Sequence, residues 1–285
     1  MRNLSTRKVD PVDDSLPRAI VALKREFLQR NMGAGFLSEF VPLQYSSNLT
    51  IGNNMLQSIH NFAQANPIYH NSREIEICSV PCRVYEGDIN SYWLSSKKHD
   101  TCYQPFYPTW MLSSYSLVLG ARSLGFEQVV DIGSGDGRIA YCSKLLGMDS
   151  FGIEIDGSLV DLQERISAAT GIKYRAIKAD ATRFDYRTLQ LSMPMFFISG
   201  LPENGEILAE DVIERVSSIE PLKHASGFNF MGSHSMRAFS RDHTGWGWGS
   251  IIARFGLEVS GVVTLPTYWT ADQPIDTPYV YTKCR

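Results

Sequence analysis

The stretch Val129-Val130-Asp131-Ile132-Gly133-Ser134-Gly135-Asp136-Gly137-Arg138-Ile139-Ala140 decides the fold. Its first four residues are β-branched or apolar around one acid, the pattern of a short buried strand. Three glycines follow within five positions, where the backbone can take positive φ and come close to a ligand. A helix starting at Arg138 then offers N–H groups that lack partners within its own first turn. A strand that empties into such a turn and helix points to a cofactor-binding α/β enzyme.

Spacing and charge narrow the ligand. A dinucleotide fingerprint places its third small residue one position later, where this chain has Arg138, and a phosphate loop needs Gly-Lys-Ser/Thr, which is absent. Asp131 closes the strand and Asp136 sits in the turn, and two carboxylates would repel a pyrophosphate. They suit a cation. S-adenosylmethionine carries a sulfonium and an ammonium and no phosphate, so acids here can accept from its amino group or balance its charge.

Asp131-Ile132-Gly133-Ser134-Gly135-Asp136-Gly137 resembles the first motif of class I S-adenosylmethionine-dependent methyltransferases. Two further segments fall in register: Phe151-Gly152-Ile153-Glu154-Ile155-Asp156 reads as a second strand ending in an acid, and Lys178-Ala179-Asp180-Ala181 as the end of a third. In that family the acid after the second strand binds both ribose hydroxyls and the acid after the third bonds the adenine amino group, positions held here by Glu154 and Asp180. The resemblance covers about residues 105 to 285. It implies a cofactor-contacting set of Asp131, Gly133, Ser134, Gly135, Gly137, Glu154, Ile155, Asp180 and Ala181, with Ser199 and Thr109. Plainer roles stand beside these: glycines at a strand-to-helix turn also permit tight packing, and a lone acid such as Asp180 also caps a helix or sits in a solvated loop.

The rest of the core follows the same order. Helices are expected over Arg138 to Leu146 and Ser158 to Thr170, a strand from Tyr174 to Ala179, and a fourth strand over Met195 to Ser199. A helix over Glu206 to Ser217, a fifth strand over Gly227 to Met231 and a helix near Ser250 to Phe255 come next. Leu257 to Leu265 and Pro278 to Lys283 then resemble the reversed hairpin of the methyltransferase sheet. The expected class is α/β: a Rossmann-like, doubly wound, mostly parallel sheet of about seven strands with a C-terminal antiparallel hairpin, preceded by an accessory helical and β region. Residues 1–104 form that accessory region and residues 105–285 the core domain.

Within the accessory region, Ile20, Leu23, Phe27 and Leu28 recur at helical spacing between Leu16 and Met32, and Met55, Leu56, Ile59 and Phe62 do so between Asn54 and Ala65. Glu74 to Val80, Cys82 to Tyr85 and Ser91 to Ser95 read as short strands, with Pro81 as punctuation. Between the two regions, Tyr103-Gln104-Pro105-Phe106-Tyr107-Pro108-Thr109-Trp110 precedes a helix from Met111 to Leu124. It resembles the Tyr-x-Pro-Thr-Pro segment of non-SET lysine methyltransferases, with Pro108 and Thr109 matching and Phe106 and Trp110 departing. Thr109 is equally readable as an ordinary helix cap.

Composition excludes several classes. The 285 residues are 44% apolar and 20% charged, enough for a substantial core and unlike a disordered chain. A net charge of −3, with Lys and Arg scattered, gives no signal for duplex nucleic acid. No apolar run reaches membrane-spanning length and the N-terminus lacks a secretory pattern, so a cytoplasmic protein with no membrane partner is expected. Five cysteines fit reduced thiols. Cys78, Cys82, His99 and Cys102 are donors of the zinc type, but their spacing matches no ribbon or finger and no metal site is expected.

Methyl transfer from a sulfonium is an in-line displacement, which asks the protein to hold a nucleophile behind the methyl group and exclude water. A lysine acceptor must lose its proton, which aromatic walls would favour by desolvation; Tyr107, Trp110, Trp246, Trp248, Tyr268 and Trp269 are candidates. The loop after the fourth strand reads Ser199-Gly200-Leu201-Pro202-Glu203-Asn204-Gly205 and departs from the Asp/Asn-Pro-Pro-aromatic signature of enzymes that methylate nucleobase or glutamine amines. Glu203, His234, His243 and Tyr107 are the candidate catalytic groups. Three readings stay open: a methyltransferase with a protein side chain, lysine first, as acceptor; a non-catalytic S-adenosylmethionine-binding or scaffold protein; and an NAD-dependent oxidoreductase.

Overall fold

The structure, a computed structural model, describes residues 12–31, 37–90, 92, 106–198, 202–231, 248–267 and 276–285, with the backbone alone at 30–31 and 202–204. The chain begins with α1 (Ser15–Asn31), whose helical-period residues Ile20, Leu23 and Phe27 are all buried. β1 (Leu37–Pro42), α2 (Asn53–Ala65), β2 (Tyr69–Ile77) and β3 (Val80–Gly87) follow, and the strands form an antiparallel sheet in the order β1-β3-β2. This corrects the strand limits expected from sequence. Cys78 and Ser79 are not strand residues: they take φ of 49° and 60° and make the two-residue turn of the β2–β3 hairpin. Pro81 is not a break but lies within β3 opposite Glu76. Of Ser91 to Ser95, only Tyr92 lies within the described residues.

The second part runs α3 (Met111–Ser123), β4 (Gln128–Ile132), α4 (Arg138–Leu145), β5 (Asp149–Glu154), α5 (Gly157–Thr170), β6 (Arg175–Lys178) and β7 (Pro194–Ile198). It closes with α6 (Pro202–Ser217), the short α7 (Glu220–Lys223), β8 (Gly227–Met231), α8 (Trp248–Arg254), β9 (Glu258–Leu265) and β10 (Thr277–Lys283). The seven strands lie in the order β6-β5-β4-β7-β8-β10-β9; the first five are parallel and β10 is antiparallel to both neighbours. The expected mostly parallel sheet with a C-terminal antiparallel hairpin is present, and within that hairpin β10 alone runs against the other strands.

This order places the site. From β4 the chain steps outward to β5 and β6, then returns to the other side of β4 for β7, so the sheet reverses direction of winding at β4. Ligand crevices in open α/β sheets form at the carboxyl edge of such a switch point, where the glycine turn leaves β4.

Alternation along the strands divides the sheet into two faces. Val130, Ile132, Phe196, Phe228 and Phe230 pack beneath α6 and α8 with Val212, Ile213 and Ile251. On the other face, Val129, Phe197, Tyr279 and Tyr281 join one apolar cluster with Phe27, Phe40, Phe62 and Tyr85 of the N-terminal region. The core is therefore continuous across the boundary expected near residue 105. A buried ion pair, Lys24 to Asp276 at 2.6 Å, also ties α1 to the residue preceding β10. No helix among the described residues is long and apolar enough to cross a membrane.

Candidate cofactor site

Three left-handed glycines shape the turn after β4: Gly133 at φ 69°, Gly135 at 55° and Gly137 at 80°. The Gly133 and Ser134 amides donate to the Ile153 carbonyl at 2.9 and 3.2 Å, and the Gly137 amide to the Ser134 carbonyl at 2.8 Å. Neighbours explain why side chains are excluded. A Cβ on Gly135 would lie 2.6 Å from the Phe106 ring, and one on Gly137 would strike the Tyr174 hydroxyl and Gln163. A Cβ on Gly133 would meet nothing within 4 Å among the described residues, which leave the turn open on that side. Buried Gln163 of α5 holds the turn from below, its Nε2 donating to Ser134 Oγ at 2.9 Å and to the Gly135 carbonyl at 2.8 Å.

Two acids face this turn without a cationic partner among the described residues. Asp131 is 2% exposed, and no described residue donates a hydrogen bond to its carboxyl group. Burial, with the nearby Glu154 and Asp136 charges added, pushes its pKa well above the usual carboxylate range. Glu154 ends β5 and is buried; its Oε2 accepts from the Gly135 amide at 2.9 Å and its Oε1 from the Asp156 amide at 3.0 Å. Burial raises its pKa too, against the lowering effect of the Asp156, Gly135 and Ile155 amides. With three amides shared between two oxygens, Glu154 keeps a lone pair for another donor.

Asp136 behaves otherwise, which corrects its sequence reading as a counter-charge for a ligand. Its carboxylate is taken by Arg138, with Nε to Oδ1 at 2.9 Å and Nη2 to Oδ2 at 2.5 Å, and by Asn66 Nδ2 to Oδ2 at 2.8 Å. Arg138 reaches further: to Glu39 Oε1 at 3.3 Å, to the Tyr69 hydroxyl at 3.3 Å and to the Thr109 carbonyl. Glu39 in turn accepts from the Tyr69 hydroxyl and, at 2.5 Å, from the Met111 amide that opens α3. Burial works against charge on Arg138, but Asp136, Tyr69 and Glu39 outweigh it and hold the guanidinium protonated. Burial likewise raises the Glu39 pKa, with Arg138 opposing it.

At the end of β6, Asp180 Oδ1 accepts from the Thr182 amide and hydroxyl at 2.9 and 2.7 Å, and Oδ2 lies 3.6 Å from Arg183 Nε. Asp180 thus closes a local turn and leaves its second oxygen only loosely paired. Ala181 is buried and Ile155 half-buried. Thr109 is buried; its hydroxyl lies 3.2 Å from that of Tyr279, its carbonyl is held by Arg138, and it bridges Thr267. It does not cap α3, whose first residue is instead held by Glu39.

Trp110 is a core residue and not an active-site wall: fully buried, its ring meets Phe40 and Phe27 edge-on at 5.3 and 6.4 Å. Trp248 is also core, stacked on Phe230 at 5.0 Å on the opposite face. Tyr107 is exposed. Ser199, His234, His243, Trp246, Tyr268 and Trp269 lie outside the described residues, and Glu203 falls in α6 where its side chain is not described. Cys78 is exposed and Cys82 buried, its thiol pushed up to about 12 by burial, while His99 and Cys102 lie outside the described residues. No group of three metal-type donors occurs among the described residues. Sequence reading missed Glu39, Asn66, Tyr69 and Gln163; of these only Glu39, the one charge in the run Leu37 to Leu43, carries a local signal.

No protein-family model and no curated protein matches the chain. Solved structures resemble it in part. The PH0226 protein from Pyrococcus horikoshii OT3 is 12% identical, with a TM-score of 0.45 over 61% of this chain and 89% of its own. Magnesium protoporphyrin IX methyltransferase from Synechocystis PCC 6803 with bound SAH is 11% identical, at 0.42 over 61% and 83%. The ribosomal protein L11 methylase from Lactobacillus delbrueckii subsp. bulgaricus is 12% identical, at 0.40 over 61% and 80%. Likeness of this degree assigns no activity to this chain.

Proposed function

We infer that this chain binds S-adenosylmethionine at the turn after β4 and transfers its methyl group to an acceptor. The observation that carries this reading is the Asp131–Glu154 pair: two buried carboxyl groups without a described cation, beside three left-handed glycines at the sheet's switch point. A ligand with a positive group and vicinal hydroxyls answers that arrangement, whereas a pyrophosphate does not. The antiparallel β10 supports the same reading over a nicotinamide oxidoreductase.

In this reading Asp131 faces the ammonium end, the Glu154 oxygens take the ribose hydroxyls, and Asp180 with the Ala181 amide addresses the adenine. The open side of Gly133 admits the ligand against bare backbone. When bound, S-adenosylmethionine supplies an electrophilic methyl group on a sulfonium. The favoured acceptor is a protein side chain, lysine first, supported by the Pro108-Thr109 segment before the core and the absence of a nucleobase-amine motif after β7. Isothermal titration with S-adenosylmethionine, S-adenosylhomocysteine and NAD tests the cofactor. Micromolar binding of the first two and not of NAD is expected, and binding of NAD alone overturns the reading. Radiolabelled methyl transfer into cell protein, followed by hydrolysis to amino acids, should yield methyl-lysine; binding without transfer would favour a non-catalytic cofactor-binding protein.

A further inference from the structure

Glu39 is completely buried on β1, in a sheet that contributes no residue to the glycine turn, yet two of its three bonds, to Arg138 and to the Tyr69 hydroxyl that Arg138 also contacts, lead toward it. One oxygen is shared by the Tyr69 hydroxyl and Arg138; the other holds the first amide of α3, the helix that feeds β4. Arg138 carries the connection into the turn by gripping both oxygens of Asp136, and Asn66, at the end of α2, grips Asp136 from a second direction. A carboxylate at this depth is costly unless paired and hydrogen-bonded, and of its three partners Arg138 and Tyr69 belong to the path between the N-terminal sheet and residues 133–137, while the Met111 amide anchors the start of α3.

We propose that Glu39 is a positioning residue of the cofactor site, acting through Arg138 on Asp136, so that the three-stranded N-terminal sheet is an integral wall of that site. The proposal rests on the reading of the glycine turn as the S-adenosylmethionine site. Its physical content is that the left-handed turn, with three residues at positive φ, is held in its ligand-ready form by a clamp anchored about a hundred positions upstream. Gln163 supplies the opposing grip on Ser134 and Gly135 from α5. Preorganised backbone donors of this kind lower the ordering cost of binding.

The test uses the full chain. Glu39→Gln replaces one accepting oxygen with an N–H donor, which must then face either the Arg138 guanidinium or the Met111 amide. Amide hydrogen exchange is measured on the ligand-free protein, and S-adenosylmethionine affinity by titration. Exchange at residues 133–137 should rise about tenfold while the β9–β10 pair stays protected, and affinity should fall about tenfold. In an Arg138→Gln background the added effect of Glu39→Gln should shrink to less than about twofold, since the path is already cut. Tyr69→Phe, which removes one hydroxyl from the same cluster, should move both readouts in the same direction by about threefold should Glu39→Gln not fold. Unchanged exchange at 133–137, an undiminished effect in the Arg138→Gln background, or loss of protection spread evenly over both sheets would each overturn the proposal. A wild-type protein that fails to bind S-adenosylmethionine would instead overturn the functional reading, and the exchange arm would still decide the role of Glu39.

Discussion

The Gly135 amide donates to the Glu154 carboxylate across 2.9 Å, so the glycine turn and the acid closing the next strand form one hydrogen-bonded unit. The bond fixes Glu154 Oε2 beside the turn before any ligand arrives. Under the proposed function this couples ribose recognition to turn geometry, and substitutions on either side should be felt on the other.

Gly135→Ala should lose at least about tenfold in S-adenosylmethionine affinity. The new methyl group meets the Phe106 ring, and the residue must keep a φ of 55°, a strain of about 1–3 kcal/mol. Adding Phe106→Ala removes the clash but not the φ strain, so the double variant should recover part of the stability. Thermal unfolding alongside titration checks this; full recovery would show that backbone conformation is unimportant there.

Asp131→Asn should stabilise the ligand-free protein and weaken cofactor binding at the same time. The Asp131 pKa is raised on folding, so the folded chain holds the proton more tightly than the unfolded one. Its contribution is full below the unfolded value, about pH 4, and is lost as pH rises through the higher folded value. Asparagine has no charge to bury and should flatten that decline, leaving the variant the more stable of the two near pH 8. Denaturation midpoints between pH 4 and 8 decide it, and a variant less stable than wild type at pH 8 would contradict the sign.

Arg138→Met leaves Glu39 and Asp136 buried without their cation. A loss of about 3–5 kcal/mol is expected in urea unfolding. A loss below about 1 kcal/mol would mean that the two acids take up protons and dispense with the guanidinium.

Asp180 serves a turn and, in the proposed function, a ligand, and two substitutions separate these roles. Asparagine keeps an acceptor for Thr182, so stability should stay within about 0.5 kcal/mol while affinity falls about tenfold. Alanine should lose both. Equal affinity for wild type and Asp180→Asn would confine Asp180 to the turn.

What was legible in the sequence follows the range of the interactions. The glycine turn, Asp131, Glu154 and the alternation of strands and helices are written in contiguous residues, because each depends on neighbours a few positions away. Glu39 was not legible, since its partner Arg138 is 99 positions distant and its strand is buried on nearly every residue, which hides the period of two. The β2–β3 hairpin is hidden for a different reason: its turn uses Cys78 and Ser79, where glycine or asparagine would signal positive φ, and after Tyr69 the strand runs through His70-Asn71-Ser72-Arg73, all exposed, of which Asn71, Ser72 and Arg73 pair with β3. Asp136 was misread because its charge was judged without Arg138 two residues on.

The place of β10 between β8 and β9 bears on how the molecule is assembled. It comes latest in the chain of the seven strands yet occupies an interior lane, so neither neighbour has its partner until residues 277–283 have emerged from the ribosome. Until then two strand edges stand open, and edges of that kind invite pairing with other chains. Emergence of residues 277–283, more than formation of the glycine turn, sets the moment at which these two edges close.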